Sequence, residues 1–169
     1  MENPTVLGVI PARLESTRLP RKPLHPVLGR PLLEWVWRRV SPMKLFDRVV
    51  VAADAPEIRE LCESMGAPVV MTDVSHASGT DRVAQVVGRG EFRDYSLIVN
   101  VQGDEPLVAE ENLKAAVDLV RGGMWDVGTC ATPLVQPEAL EDPSVVKVAR
   151  ASDGRALYFS RAPIPFKRD

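Results

Sequence analysis

"TVLGVIPARLESTRLPRKPL", residues 5–24, joins two kinds of chemistry in one stretch. The first part is apolar, β-branched and uncharged, as a strand covered on both faces is. The second gathers Arg13, Arg18, Arg21 and Lys22 against a single acid, Glu15, while Pro11, Pro20 and Pro23 restrict the backbone. In open α/β sheets, ligands sit beyond the carboxyl ends of the strands. A strand running straight into a cationic, proline-stiffened loop therefore opens an α/β unit with an anion site at its edge. A solvated basic loop is the competing reading, and the upstream strand and the prolines weigh against it.

The loop contains no glycine, which excludes both the GxGxxG dinucleotide fingerprint and the GxxxxGKS/T phosphate loop. Phosphate would be held by side chains. Arginine grips two phosphate oxygens with its planar fork, Lys22 adds a compact point charge, and Ser16, Thr17 and backbone N–H groups assist.

The same alternation continues along the chain. "RVVVAA" (48–53), "PVVMT" (68–72) and "LIVNVQ" (97–102) are strand-like apolar runs. Between them, Leu32, Leu33, Val36, Trp37 and Val40 share one helical stripe, as do Ile58, Leu61, Cys62 and Met65, and Leu113, Ala116, Val117 and Val120. A shorter helix over 80–88 centres on Val83, Val86 and Val87. Asp54 to Glu57, "DAPE", has the form of a capping box opening the second helix. Strands alternating with helices predict βαβ units and a three-layer α/β fold with a mostly parallel sheet. Beyond residue 124, "DVGTCATPL", "VVKVAR" and "ALYFSR" are strand-like, and "ASDGR" (151–155) is a hairpin turn, so antiparallel additions and a mixed sheet are expected.

Two further loops leave predicted strand ends. In "HASGTDR" (76–82), Ser78 and Thr80 can cap the following helix and Arg82 projects from its first turn; structural use is favoured over anion binding. In "NVQGDEP" (100–106), Asp104 or Glu105 delivers a carboxylate at the sheet edge that could hold Mg2+, an ion satisfied by one or two protein carboxylates. His25 and His76 are too few and scattered for a zinc site.

With 169 residues, 45% of them apolar and 26% charged, the chain has the size and composition of one globular domain. A formal charge of −2 argues against a nucleic-acid partner. No stretch has the length of a membrane span, and the acid in "MENPTVLGVI" is wrong for a signal peptide, so a cytoplasmic protein is expected. Cys62 and Cys130 sit in apolar settings and are expected to be buried thiols. The closing "RAPIPFKRD" is extended and uncapped: either the protein ends there or the domain is incomplete at its C-terminus, and the second is expected.

Taken together, "IPARLESTRLPRKPL", "SGTDR", "VNVQGDEP", "PSVVKVA" (143–149) and "ALYFSRAPIPF" (156–166) resemble, in order, the blocks of the 3-deoxy-manno-octulosonate (KDO) cytidylyltransferases. The resemblance implies a Rossmann-like nucleotide-diphospho-sugar transferase fold over residues 1–169. It also implies an enzyme that joins CTP to an acidic 3-deoxy sugar for lipopolysaccharide biosynthesis. By motif, Arg13 and Lys22 would bind the triphosphate with Ser16, Thr17 and Arg18 nearby; Arg82 and Gln102 would face the cytidine; Asp104 would coordinate Mg2+. Lys147 and Arg161 would lie near the sugar. Where Arg21 stands the family usually has glycine, so either positive φ is not needed there or the loop's grip is altered. Family members continue further, and that later part supplies a second metal-binding acid and much of a homodimer interface. A cytidylyltransferase for another acidic sugar and an inactive nucleotide-binding relative are the alternatives.

Overall fold

The opening apolar run forms β1 (Val6–Ala12), buried at every position but the half-buried Pro11. The computed structural model describes residues 4–16 and 19–166. Its backbone divides into two compact units, residues 1–128 and 129–169.

In the first unit a one-turn 3-10 helix, Lys22–Leu24, leads to a small hairpin, β2 (Pro26–Val27) and β3 (Arg30–Pro31); a second 3-10 turn, Gly90–Phe92, precedes the strand at Leu97–Asn100. Then follow α1 (Leu32–Val40), β4 (Arg48–Ala53), α2 (Pro56–Ser64), β5 (Val69–Met71), α3 (Gly79–Val87), β6 (Leu97–Asn100) and α4 (Glu110–Arg121). The main sheet has the order β5-β4-β1-β6 and is parallel throughout, with Val9 opposite both Val50 and Asn100.

The period-2 geometry of the strands sorts their side chains into two cores. Ile10, Ala12, Val49, Val51 and Ala53 face one layer with Leu33, Val36 and Val40 of α1 and Ile58 and Cys62 of α2; Leu113 of α4 packs against it. Leu7, Val9, Val50 and Ala52 face the other with Val83 and Val86 of α3 and with Phe92. This is the expected three-layer α/β arrangement, and each helix stripe read from the sequence meets the sheet; the expected mixed sheet is corrected, because among the described residues the antiparallel strands pair only with each other, in sheets of their own. Among the described residues no helix is long and apolar enough to cross a membrane.

In the second unit, α5 (Glu138–Glu141) precedes the antiparallel pair β7 (Lys147–Arg150) and β8 (Ala156–Ser160). The predicted turn joins them, with Gly154 at a φ of 92°.

Three local expectations are corrected. "DVGTCATPL" forms no strand; its alternating small and apolar residues have no ladder partner to hold them extended. Cys130 is exposed, while Cys62 is buried as expected. The "DAPE" capping box is not made either: the residue before α2 is Ala55, and no side chain caps the helix. Asp54 is engaged elsewhere, as described below.

Burial sets two expected outcomes. Leu33 is fully buried, whereas Leu28, at the tip of the β2–β3 hairpin, is 91% exposed. Leu33→Ala should lower the unfolding free energy by about 2–5 kcal/mol, and Leu28→Ala should change it by no more than about 0.5 kcal/mol, both read from urea titrations. Burial, with the neighbouring Glu63 charge, pushes the Cys62 thiol up to about 12. Thiolate is thus scarce at pH 8, and alkylation of Cys62 should proceed only at the rate of global unfolding; rapid labelling of Cys62 itself, resolved by peptide mapping from that of the exposed Cys130, would contradict its placement.

Candidate active site at the carboxyl edge of the sheet

The chain leaves β1, builds β4 and β5 outward on one side, and then returns to place β6 on the other. Loops leaving the carboxyl ends of β1 and β6 therefore diverge from a common crevice, the position where open α/β sheets bind ligands. Gly103 brings the two loops together. A Cβ built there would stand 2.7 Å from the Pro11 carbonyl oxygen, so only a residue without a side chain permits the approach.

Across this crevice Lys22 Nζ and Asp104 Oδ2 form an ion pair. The two side chains are 32% and 43% exposed, a setting in which such pairs contribute about 0–1 kcal/mol. The pair is thus readily exchanged for an anion on Lys22 and a cation on Asp104. Lys22 is held by the 3-10 turn, and Asp104 sits in the turn after β6, where Glu105 N–H bonds the Gln102 carbonyl at 3.3 Å. Gln102 is exposed, two residues beyond the end of β6.

The loop after β1 borders an open pocket of about 460 Å3 lined by Arg13, Leu14, Glu15, Ser16, Pro20 and Arg21. Ser16 Oγ accepts from Leu19 N–H at 3.5 Å. Thr17 and Arg18 lie outside the described residues. Arg21 has φ 53° and ψ 36°. The backbone does need the left-handed region here, and arginine adopts it at a cost of about 1–2 kcal/mol relative to glycine. Its guanidinium reaches Glu57 of α2 at 3.4 Å.

"SGTDR" builds a helix start and a buried support. Ser78 Oγ accepts from Asp81 N–H at 3.2 Å, and Asp81 Oδ2 accepts from Ser78 N–H at 3.0 Å, a reciprocal capping box. Thr80 takes no part in it. Arg82, expected to face the cytidine, is only 2% exposed and offers a base almost no surface. Its Nη2 donates to Asp54 Oδ2 at 3.0 Å, and its Nη1 to Thr72 Oγ1 and to the Asp73 carbonyl at 3.1 Å. Removing one partner of such a buried pair costs about 3–5 kcal/mol, because a charge is left without compensation.

Asp54 is the residue that sequence reasoning misplaced. Its Oδ1 accepts from Leu14 N–H at 2.9 Å, inside the cationic loop. The available signal was its position directly after the buried run "VVVAA", the same strand-end placement that singled out Asp104.

In the second unit Lys147 is 2% exposed, and its Nζ donates to the carbonyls of Asp142, Val145 and Arg161 at 2.8–2.9 Å. All three donors are taken, so Lys147 is a structural pin and not a sugar contact. Arg161 donates to the Pro143 carbonyl at 2.9 Å.

A parallel sheet flanked by helices, with a cationic loop and an acid meeting at the strand-order reversal, has the architecture of the Rossmann-like nucleotidyltransferases. Residues 7–169 match the family described as cytidylyltransferase, and the chain belongs to that family. It is 53% identical over 97% of its length to the 3-deoxy-manno-octulosonate cytidylyltransferase of Gemmatimonas aurantiaca, covering 63% of that protein. It is 45% identical over 95% of its length to 3-deoxy-manno-octulosonate cytidylyltransferase 2 of Actinobacillus pleuropneumoniae, covering 64%. The chain thus spans under two thirds of the length of these curated relatives. Among solved structures, it resembles CMP:2-keto-3-deoxy-manno-octonic acid synthetase complexed with CTP, with a TM-score of 0.83 and 33% identity over 98% of this chain and 67% of that one.

The Gly103 approach has a direct consequence. Gly103→Ala should lower stability by about 1–3 kcal/mol, as overpacking does. It should also move Asp104 away from Lys22, visible in a crystal structure of the variant as loss of the ion pair; an unchanged pair would show that the loops do not need the close approach.

Proposed function

We propose that this protein transfers the cytidylyl group of CTP to KDO, giving CMP-KDO and pyrophosphate. The observation that carries the reading is the meeting of Lys22 and Asp104 from loops that follow β1 and β6. The names of the relatives support CTP and the 3-deoxy sugar acid as substrates.

In this reading the triphosphate lies along the loop after β1. Arg13 and Lys22 supply fixed positive charge to its oxygens, and Ser16 and backbone N–H groups complete the cradle. The oxygen of the sugar's anomeric hydroxyl attacks the α-phosphorus while its proton passes to solvent, the bond to the bridging oxygen breaks, and pyrophosphate departs with the electron pair. Charge rises on the phosphoryl oxygens and the leaving group, where Lys22 and Arg13 are already placed, so little reorganisation accompanies the reaction. Gln102, exposed two residues beyond the end of β6, would hydrogen-bond the base. No covalent enzyme intermediate is required.

Among the described residues no group of three or more His, Cys, Asp or Glu side chains gathers to cage a metal. Mg2+ needs no such cage, since one or two carboxylates suffice when phosphate oxygens and water complete its shell. Asp104, exposed and beside the cationic loop, fits that requirement and would hold the ion. Bound there, Mg2+ would neutralise phosphate charge and polarise the reacting oxygens. In this reading the protein is a cytoplasmic homodimer whose product feeds lipopolysaccharide assembly.

Pyrophosphate release from CTP, the 3-deoxy sugar acid and Mg2+ tests the reading, with other acidic sugars assayed alongside. Turnover should require the metal and should fall on the order of 10²–10³-fold in Asp104→Ala and in Lys22→Ala, as for loss of one preorganised contact. Unchanged turnover in Asp104→Ala removes the metal assignment, and faster turnover of another acidic sugar replaces the substrate.

A further inference from the structure

We propose that Asp54 is a positioning residue that holds the root of the Arg13–Lys22 loop, with Arg82 as its anchor. The consequence for nucleotide binding rests on the cytidylyltransferase reading; the geometry does not.

β1 ends at Ala12, so the N–H of Leu14 has left the ladder and needs a partner. Asp54 provides it from the neighbouring strand, where Ala12 and Ala53 are in register and Asp54 is the next residue. Its Oδ1 accepts from Leu14 N–H at 2.9 Å and its Oδ2 from Arg82 Nη2 at 3.0 Å. Each oxygen serves a different element, so the carboxylate cannot rotate without giving up one of them. The anchor is itself fixed: Arg82 Nη1 donates to Thr72 Oγ1 and to the Asp73 carbonyl, and Thr72 Oγ1 donates to the Ala53 carbonyl at 2.9 Å. The Arg82 and Asp54 side chains are 3% and 9% exposed, and Asp54 is absent from the lining of the loop's pocket. It therefore acts through the backbone of Leu14, adjacent to Arg13. An ion pair that only supported the fold would not need its second oxygen on the loop.

The physical need is clear. A loop carrying four cations repels itself, and each long side chain costs entropy when a ligand orders it. Fixing the backbone at the loop's root removes part of that cost before a phosphate arrives. The support is uncharged as a unit, since Asp54 is balanced by Arg82, and so it does not compete with the anion for Arg13 or Lys22.

The test compares the intact chain with Asp54→Asn and Asp54→Ala by residue-resolved amide hydrogen exchange and by titration with CTP and Mg2+. In Asp54→Ala, protection of the Leu14 amide should fall by about tenfold or more, the loss expected for a hydrogen bond to a charged acceptor. The amides of Val50 and Val51 in β4 exchange through global unfolding, so their protection should fall only by the factor that a urea titration of the same variant gives for its lost stability, and the Leu14 loss is read against them. The CTP dissociation constant should rise by a comparable factor. Asp54→Asn keeps an acceptor for Leu14 and should show a smaller change in both. Unchanged Leu14 exchange overturns the proposal, as does an equal loss across β4 and α3, which would make the pair a support of the fold alone. If Asp54→Ala does not fold, Asp54→Asn carries the same comparison. Lost Leu14 protection with unaltered CTP affinity overturns the positioning role. Should the wild-type chain not bind CTP, the nucleotide reading fails, and Leu14 exchange still decides whether Asp54 holds the loop.

Discussion

β1 takes its ladder from β4 on one edge and from β6 on the other, and this two-sided pairing gathers the site. A strand buried on both faces has no freedom to slide, because a one-residue slip would exchange its two sets of apolar side chains between cores. Val9 is thereby locked opposite Val50 and Asn100. β1 and β4 then end level, Ala12 beside Ala53, while β6 ends at Asn100 beside Val9, and the loops that leave these strands meet: the cationic stretch after β1, Asp54 after β4 and the turn with Gly103 and Asp104 after β6.

Two ion pairs at that edge show how burial divides labour between the same kinds of groups. Lys22 and Asp104 pair where water still reaches them, so their mutual attraction is weak and either partner can be taken by something else. Arg82 and Asp54 pair where water does not reach, and separating them would strand a charge. The exposed pair is suited to exchange with a ligand. The buried pair is suited to permanence, and it is joined by Thr72 and the Asp73 carbonyl into a network with satisfied donors. One edge of a sheet thus holds both a site that changes partners and the frame that does not.

The periodic elements of the first unit were legible because periodicity records burial directly. "RVVVAA" occupies β4 from end to end, and the stripes of Leu33, Val36 and Val40 and of Ile58 and Cys62 face the core as spaced. The strand-like reading of "DVGTCATPL" failed for the complementary reason: a strand is completed by its neighbour, and local composition does not specify one. Asp54 was misread as a helix cap because an acid before Pro and Glu satisfies a local pattern, while its two partners lie 40 and 28 residues away. Arg82 was legible as a charge on α3 but not as a buried one, since burial of a cation depends on a partner supplied by another strand.

The order of the amino acids determined by itself where the four strands of the main sheet and the helices packed on it form, that cations gather after the first strand, and that an acid ends "LIVNVQGD". Those features follow from side-chain chemistry and local backbone preference. Which cation meets which acid was decided only by the tertiary structure. Lys22 with Asp104 and Arg82 with Asp54 are pairings across strands, set by the order β5-β4-β1-β6 and by the approach of Gly103 to Pro11. Coulomb attraction acts through distance and local dielectric, and neither exists until the chain has folded.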